Sequence, residues 1–250
     1  MKAEAHEINA EFEDEFWWYV GRRRILLDLL GSHFGHDGNS KPMLLDLGCG
    51  TGATLMAVGY RTRAIGVDTS PLALIACKRR GLGGRVVRCD LVAPPFRDKS
   101  FDVVMLLDVL EHMADDRETL REACRLLRCG GLLMVTVPAY PFIWGGEDYV
   151  SEHHRRYLRG SLKALIAGAG IHVRRSTYFN TLLFPVMAAV ILFRRFCVPE
   201  SRFRSNVRPL PVLMNKFLSA VFSIERFFLR WLSFPYGGSI LCLGVKENVR

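Results

Sequence analysis

The first half of the chain alternates short apolar runs with longer amphipathic segments. Four of the apolar runs end in or beside an acidic residue, and they cover residues 44–46, 64–68, 85–91 and 101–108. Apolar runs of this length that alternate with helical patterns are typical of strands in a parallel sheet with helices on its faces. Because the carboxyl ends of parallel strands meet at one edge, the pattern predicts a ligand crevice there.

The second half departs from this alternation. Residues 171–178 alternate apolar and polar side chains, as a strand near a sheet edge does, and residues 238–245 can form the last strand. About sixty residues separate the two runs, which is too long for a hairpin loop, so we infer an inserted helical subdomain. At the other end, a helical segment over about residues 5–31 and a linker from His33 to Pro42 precede the first strand.

The insertion is unusually apolar. Residues 180–193 form an apolar stretch that is interrupted by Pro185 and too short to span a bilayer. Residues 213–231 predict a helix with one narrow polar stripe on an otherwise apolar surface, and the stripe consists of Lys216, Ser219, Ser223, Arg226 and Arg230. Two explanations stay open: packing on the sheet edge or in a homodimer, and membrane surface contact through residues 180–232.

The first strand runs into a glycine-rich turn. Glycines at 48, 50 and 52 let the backbone turn sharply and let a ligand approach it, and Thr51 can cap the next helix. The spacing also fits a loose dinucleotide fingerprint. A pyrophosphate would be repelled by Asp46, however, whereas this carboxylate can neutralise the amino group of S-adenosylmethionine. Asp68, about twenty residues downstream, is placed to accept the ribose hydroxyls of either cofactor, and Asp90 suits the adenine amine.

These motifs together resemble the class I S-adenosylmethionine-dependent methyltransferases, and the bacterial type 11/12 group in particular. The resemblance covers about residues 43–138, and the pattern over residues 138–162 is similar to that of the type 11/12 group. It implies an α/β fold: a Rossmann-like, doubly wound sheet of seven strands with the last strand antiparallel, helices on both faces, an N-terminal helical lid and a helical insertion before the last strand. It also implies cofactor contacts from Asp46, Gly48, Cys49, Gly50, Gly52, Asp68, Thr69, Asp90, Leu91, Asp108 and Val109.

On this basis we divide the chain into four segments. Residues 1–40 form the lid, 41–178 the cofactor-binding core, 179–236 the apolar and basic insertion, and 237–250 the final strand and tail. The first segment clusters aromatic and arginine side chains, and adjacent aromatics cannot all face one side of a helix. We therefore expect Trp17, Trp18 and Arg22 to contact substrate, with ordinary helix packing as the alternative.

A second substrate region is expected after the fifth strand, in the long loop from Pro138 to Tyr157. Loops at the carboxyl end of a strand are where substrate is usually held. The candidate contacts are Tyr140, Trp144, Arg155, Arg156 and Tyr157, with the two arginines suited to a carboxylate or phosphate. The alternative is that these side chains only pin the loop to the domain.

Methyl transfer to a hydroxyl also needs a proton acceptor, and histidine titrates near neutral pH. The candidate bases are His112, which follows the fourth strand, and His153 and His154 in the loop. Asp108 and Glu111 accompany His112. Ubiquinone-type O-methyltransferases have a similar Glu-His pair there, sometimes with a divalent metal, but we favour a polar cluster at a helix start and expect no metal. Seven cysteines without CxxC spacing predict neither a disulfide framework nor a zinc site.

Charge is distributed unevenly along the chain. Residues 1–149 hold 18 Lys/Arg against 21 Asp/Glu, a net −3, whereas residues 150–250 hold 16 against 4, a net +12. A solvated basic surface is one explanation, but the confinement of the charge to one half suggests an anionic partner such as a phosphorylated substrate or a lipid surface. Nucleic acid is disfavoured because no recognition motif is present. The acidic N-terminal residues are unlike a secretory signal, so we expect a protein of the cytoplasm or of the inner face of the membrane.

The sequence therefore predicts a methyltransferase that uses S-adenosylmethionine to methylate, at oxygen, an apolar or amphiphilic small molecule or lipid-like acceptor. Two rivals remain. An NAD-dependent oxidoreductase would need a pyrophosphate beside Asp46. A non-catalytic scaffold would keep the cofactor fold without turnover.

Overall fold

One mixed sheet organises the described part of the chain. The computed structural model describes residues 10–33, 41–197 and 205–247. Within them the strands are β1 Met43–Leu47, β2 Arg63–Asp68, β3 Val86–Arg88, β4 Phe101–Leu107, β5 Leu127–Pro138, β6 Ile171–Phe179 and β7 Ser239–Lys246. Their order is β3-β2-β1-β4-β5-β7-β6. Neighbours among the first five strands are parallel, and β7 is antiparallel to both β5 and β6. This confirms the predicted seven-stranded sheet with an antiparallel last strand.

Helices cover both faces of the sheet. They are α1 Trp17–His33, α2 Ala53–Val58, α3 Pro71–Arg79, α4 Asp116–Leu126, α5 Gly146–Val150, α6 Arg159–Gly168, α7 Phe184–Cys197 and α8 Val212–Leu229. Successive strand residues point to opposite faces, so Leu44 joins the core beneath α1, α2, α3 and α8, whereas Leu45 joins the core beneath α4 and α6. Each fully buried leucine contributes roughly 1.5–3 kcal/mol relative to an exposed one, which makes these two layers the main stabilising feature.

Some local predictions differ from the structure. The strand expected over residues 85–91 is only Val86–Arg88, because Arg85 closes a 3₁₀ turn and the chain bends away after Arg88 to line the crevice. The predicted cap by Thr51 is wrong: Gly52 occupies the cap position of α2, and the Thr51 hydroxyl donates instead to Glu13. The first nine residues of the lid and most of the predicted linker, 34–40, lie outside the described residues.

Among its described residues the insertion between β6 and β7 contains α7 and α8, and the two serines of the polar stripe of α8 face inward, whereas Lys216 and Arg230 are exposed. Ser219 and Ser223 are buried against α1, and the Ser223 hydroxyl accepts a hydrogen bond from Arg24 at 3.2 Å. On the outer side, Phe217 and Trp231 are exposed. The helix spans Val212–Leu229; Phe222 and Leu229 are buried in the core, whereas most of its other large apolar side chains are exposed.

Several polar contacts fix α8 in place. Arg230 donates to Asp28 of α1 at 2.6 Å, and the buried Glu225 carboxylate accepts from the backbone N–H groups of Thr181 at 2.6 Å and Leu182 at 2.9 Å. Glu225 thus ties the middle of α8 to the start of the insertion. The division of the chain into four segments remains a prediction, but α8 and α1 share one core layer with the sheet.

Gly21 allows α1 and α8 to approach closely, and its replacement should weaken their packing. An added Cβ at Gly21 would lie 2.4 Å from Cδ1 of the fully buried Phe222. Overpacking of this kind costs about 1–3 kcal/mol, more than the helix propensity that alanine gains over glycine. We therefore expect Gly21→Ala to lower the melting temperature in a thermal unfolding assay.

Gly31 of the same helix supplies the matched control. A Cβ there meets only the mobile end of the Arg61 side chain, so Gly31→Ala should leave the melting temperature unchanged or raise it. Equal effects of the two substitutions would contradict the close-approach explanation.

Candidate cofactor and acceptor site

The carboxyl ends of β1, β2 and β4 bring the predicted cofactor residues to one edge of the sheet. After β1, Gly48, Gly50 and Gly52 all have positive φ angles, and the backbone turns under the start of α2. A Cβ on Gly50 would meet no atom within 4 Å, which leaves its backbone open to a ligand. The Gly50 N–H donates to Asp68 at 2.9 Å, so the turn is tied to the end of β2.

Asp46 is a buried carboxylate in this crevice. Its side chain is 2% exposed, and its Oδ1 atom has no hydrogen-bond partner among the described residues. Burial raises the pKa of Asp46 to about 7, and the nearby Arg22 guanidinium acts in the opposite direction. A buried oxygen without a donor is costly unless a ligand supplies one. The position therefore suits a cationic amino group.

Arg22 reaches the crevice from α1 and forms an ion pair with Asp108, which follows β4. Asp108 has a positive φ of 57° and also accepts a hydrogen bond from the Thr136 hydroxyl of β5 at 3.2 Å. The Arg22 guanidinium carbon lies 4.6 Å from the centre of the Trp18 ring, a cation–π distance. The lid helix is thus attached to the strand end by a charge pair.

Asp68 and Asp90 lie at the other end of the crevice. The Asp68 carboxylate accepts from the backbone N–H of Ser70 at 2.8 Å as well as from Gly50. A cleft of about 380 Å³ beside it is lined by Thr69, Arg88, Cys89 and Asp90. Thr69 and Asp90 were predicted from the sequence, whereas Arg88 and Cys89 were not. Leu91 and Val109 are buried, and both approach Gly48.

The long loop after β5 is organised around the fully buried Asp148. This carboxylate accepts from Arg156 at 2.7 and 2.9 Å and from the Gly145 N–H at 2.7 Å, and it bonds to Nδ1 of His153 at 2.8 Å. Burial raises the pKa of Asp148, but the hydrogen bonds from His153 and Arg156 outweigh it and hold the pKa below the usual value. No role was predicted for Asp148 from the sequence, because nothing in the neighbouring residues indicates that its side chain is buried.

The predicted substrate residues of the loop are engaged within the protein. Arg155 donates to Asp116 at 3.0 Å, and the Tyr157 hydroxyl donates to the same carboxylate at 2.8 Å. Tyr140 stacks on Tyr178 with ring centres 5.2 Å apart, and Trp144 contacts Tyr149 edge to face. These contacts, with those of Arg156, are the ones expected if the side chains pin the loop.

The aromatic residues of the lid divide between core and crevice. Trp17 is buried and packs edge to face on Phe222, with ring centres 5.8 Å apart. Trp18 is half-buried beside Arg22. Another buried acid of this region, Glu13, accepts from Thr51 and lies 3.7 Å from Arg80, and its partners are too distant in sequence to be foreseen.

Beyond β4 the chain makes a 3₁₀ turn from Leu110 to His112, which brings Glu111 and His112 beside His153. The ligand-type atoms of these three side chains all lie within 4.8 Å of one another. Burial raises the pKa of Glu111 well above its usual value, and the neighbouring Asp108 adds to this; burial lowers the pKa of His112 to about 3. His154 differs: its side chain is exposed, and its backbone N–H donates to the Glu111 carbonyl at 2.7 Å.

Comparison with known proteins finds a matching domain family and relatives for part of the chain. Residues 45–135 match the methyltransferase domain family designated Methyltransf_11. Demethylmenaquinone methyltransferase of Tropheryma whipplei is 32% identical over 159 residues, covering 61% of this chain and 59% of that protein. A probable S-adenosylmethionine-dependent methyltransferase of Mycobacterium tuberculosis is 35% identical over 131 residues, covering 51% of this chain and 47% of that protein.

Probable tRNA methyltransferase 9B of Mus musculus is 35% identical over 119 residues, covering 46% of this chain and 24% of that protein. The matched regions thus span between about a quarter and three-fifths of the length of these curated relatives. Among solved structures, a Haloferax volcanii putative methyltransferase in complex with the Trm112 methyltransferase activator has a TM-score of 0.64 at 18% identity, covering 99% of this chain and 96% of that one. This structural likeness shows the fold.

The burial of Asp46 predicts a pH-dependent effect of its replacement. The pKa is about 7 in the folded protein against 3.8 for an ordinary aspartate, so ionising Asp46 costs stability progressively as the pH rises from about 4 to about 7. We expect Asp46→Asn to be more stable than wild type at pH 8, by up to about 4 kcal/mol, with little difference at about pH 4. Urea unfolding of the ligand-free protein at both pH values measures this.

Asp68→Asn is the control at the adjacent strand end. Its carboxylate accepts two backbone N–H groups, so the substitution should lower the free energy of unfolding at both pH values. A gain for Asp46→Asn that does not change with pH would contradict the assignment of its pKa.

Proposed function

We propose that the chain is a class I S-adenosylmethionine-dependent methyltransferase that methylates an oxygen atom of an amphiphilic acceptor at an anionic membrane surface; its residues 45–135 match a methyltransferase domain family. The observation that carries the acceptor proposal is the outward-facing apolar surface of the insertion. It belongs to α7 and α8, and α7 packs on the loop after β5, where Gly145 approaches Ile191.

The cofactor would lie along the crevice from Asp46 to Asp90. In this arrangement the unpartnered Asp46 carboxylate receives the amino group, and the open backbone at Gly50 receives the methionine portion. Asp68 accepts the ribose hydroxyls, which compete with the Gly50 N–H that it holds now. Thr69, Asp90 and Leu91 surround the adenine, and Asp108 with Val109 completes the side next to β4.

The acceptor would lie between the lid, the 3₁₀ turn after β4 and the loop after β5. Its oxygen attacks the sulfonium methyl carbon in line, the carbon–sulfur bond breaks, and the electron pair stays on sulfur to give S-adenosylhomocysteine. The acceptor hydroxyl releases its proton to solvent beside the Glu111, His112 and His153 cluster. Transfer of this kind depends mainly on positioning and water exclusion. The lid ion pair between Arg22 and Asp108 supports both.

The insertion supports contact with a lipid surface. Within the described residues no helix is long and apolar enough to cross a bilayer. Yet no residue of α7 is buried, and large apolar side chains are exposed along both helices. They are Val186, Val190, Phe193 and Phe196 of α7, and Val212, Leu213, Met214, Phe217, Ile224, Phe227 and Phe228 of α8, followed by Trp231 and Leu232. Exposed apolar surface of this extent marks an interaction site.

Charge favours an anionic bilayer as the occupant. Residues 179–236 carry eight Lys/Arg and two Asp/Glu, and one of the two acids, Glu225, is buried. Apolar side chains flanked by basic ones are typical of helices that lie in the interface of anionic membranes. The relative that acts on demethylmenaquinone supports an apolar acceptor, and the relatives named as tRNA methyltransferases offer a polyanionic one. The apolar surface favours the first.

Calorimetric titration with S-adenosylhomocysteine and, separately, with NADH tests the cofactor assignment. We expect the wild type to bind the first and not the second, and Asp68→Ala to lose at least tenfold in affinity because the ribose hydroxyls lose their acceptor. Asp98→Ala, an exposed acid paired with Arg125 away from the crevice, is the matched control and should bind normally. Binding of NADH alone would favour the NAD-dependent oxidoreductase. Binding of S-adenosylhomocysteine without turnover on any acceptor class would favour a non-catalytic scaffold.

Flotation with lipid vesicles tests the surface. The protein should float with vesicles that contain phosphatidylglycerol, and less with pure phosphatidylcholine or at high salt, because basic side chains contribute to binding. Phe193→Ser combined with Trp231→Ser should abolish flotation, since both side chains are exposed on the insertion. These surface substitutions should leave the melting temperature unchanged.

Tyr60→Ser is the matched control, because Tyr60 is equally exposed but follows α2. It should float like the wild type. The wild type could instead form a concentration-dependent dimer that the double substitution dissociates, and fail to float. That result would show that the apolar surface binds a second copy of the chain and not a membrane. Binding of tRNA in place of vesicles would also overturn the proposal.

A further inference from the structure

The side chains of Glu111, His112 and His153 converge on one point beyond β4 and each keeps an atom free for it. Glu111 is 1% exposed, and its Oε2 atom has no hydrogen-bond partner among the described residues. The same holds for the buried Nδ1 atom of His112. A buried carboxylate oxygen and a buried imidazole nitrogen side by side, both unpaired, are costly without a ligand.

The unoccupied ring nitrogens of both histidines suit metal ligation. The buried Nδ1 atom of His112 has no hydrogen-bond partner among the described residues, so its lone pair is available to a ligand. His153 bonds Asp148 through Nδ1 at 2.8 Å, which leaves Nε2 free. A ligating histidine typically holds a carboxylate or a backbone carbonyl with its other nitrogen. His153 holds the Asp148 carboxylate in this way.

The supports of the cluster are themselves fixed. Asp148 is fully buried and held by Arg156 and by the Gly145 backbone, so His153 cannot turn freely. The His154 N–H donates to the Glu111 carbonyl and joins the loop to the 3₁₀ turn. The two imidazole rings are 4.6 Å apart between centres and inclined at 78°, so that they approach from different directions.

We propose that Glu111, His112 and His153 form a three-ligand site for a divalent transition metal of the zinc type. Two histidines and one carboxylate are a ligand set of catalytic zinc sites, which keep a further position open. Their donor atoms lie within 4.8 Å of one another, and bond lengths of about 2.0–2.2 Å require them to move closer by roughly 1 Å. Rotation of the Glu111 and His112 side chains, whose donor atoms have no partner among the described residues, supplies a movement of that size. The sequence led us to expect no metal, because Glu111 and His112 alone are also explained as polar residues at a helix start.

The role of the metal rests on the proposed function, whereas its binding does not. The site lies next to Asp108 and therefore near the end of the crevice where the methyl group would be. A metal with an open position would take the acceptor oxygen, lower the pKa of its hydroxyl and hold the oxygen towards the methyl carbon. The proton is released to solvent, and the histidines act as ligands and not as bases.

Cobalt(II) is a suitable probe because its visible absorption reports the ligand geometry. Protein treated with a chelator and dialysed is titrated with Co²⁺ alone, and then with Zn²⁺ as competitor. We expect one equivalent of Co²⁺ with the spectrum of a four- or five-coordinate site, displaced by one equivalent of Zn²⁺. Glu111→Gln and His153→Gln should each weaken binding at least tenfold, since each removes one of three ligands.

His154→Gln is the matched control, because its side chain is exposed and outside the cluster. It should bind Co²⁺ like the wild type. The inference is overturned if folded wild type binds no stoichiometric Co²⁺, or if His153→Gln binds it as tightly as His154→Gln. Binding of S-adenosylhomocysteine is measured on every variant: it shows that the variant is folded, and it separates a failure of the metal site from a failure of the methyltransferase proposal.

Discussion

The crevice depends on one constraint: a carboxylate that is buried needs a partner for its charge, because an isolated buried charge is strongly destabilising. The fold places five acidic side chains around the carboxyl ends of β1 and β4, where water is scarce. Two of them are balanced by arginine: Asp108 by Arg22, and Asp148 by Arg156. Glu13 has Thr51 as a donor and Arg80 nearby. The remaining two, Asp46 and Glu111, each keep an oxygen without a donor. Paired acids hold the lid and the loop, and the unpaired ones indicate where ligands would sit.

The pairing of buried acids also accounts for the fixed position of the long loop after β5. A buried group that bonds to the backbone and to side chains holds a loop of this length in place. Asp148 does so here, and it joins His153, Arg156 and the Gly145 N–H in one network. Arg156 also donates to the carbonyl of Ala139 at 3.0 Å, which connects the network to the end of β5. The loop is therefore part of the framework of the site.

Much of the fold and of the cofactor crevice could be predicted from the sequence, because both depend on patterns among residues that are close together in the chain. The apolar runs that end in Asp46 and Asp68 encode strand, turn and ligand position within a few residues of each other. The acceptor side could not be predicted equally well, since its contacts join distant segments. Asp148 reads as an ordinary loop acid, and Glu13 meets Thr51 only after the lid has folded back. For α8 the stripe itself was found, but the contacts of its Ser223 and Arg230 with Arg24 and Asp28 of another helix could not be predicted from it.

The position of α1 has a consequence for the interpretation of mutational data. This helix touches α8 through Gly21 on one side and the crevice through Arg22 on the other, and the two residues are adjacent. A substitution anywhere along the α1–α8 contact can thus shift a guanidinium that neutralises a strand-end acid, although the altered side chain lies far from any ligand. Diminished turnover in such a variant would report mechanical linkage between two layers of the protein. A mutational scan of α8 therefore needs a separate measure of cofactor affinity before any position is assigned to its apolar surface.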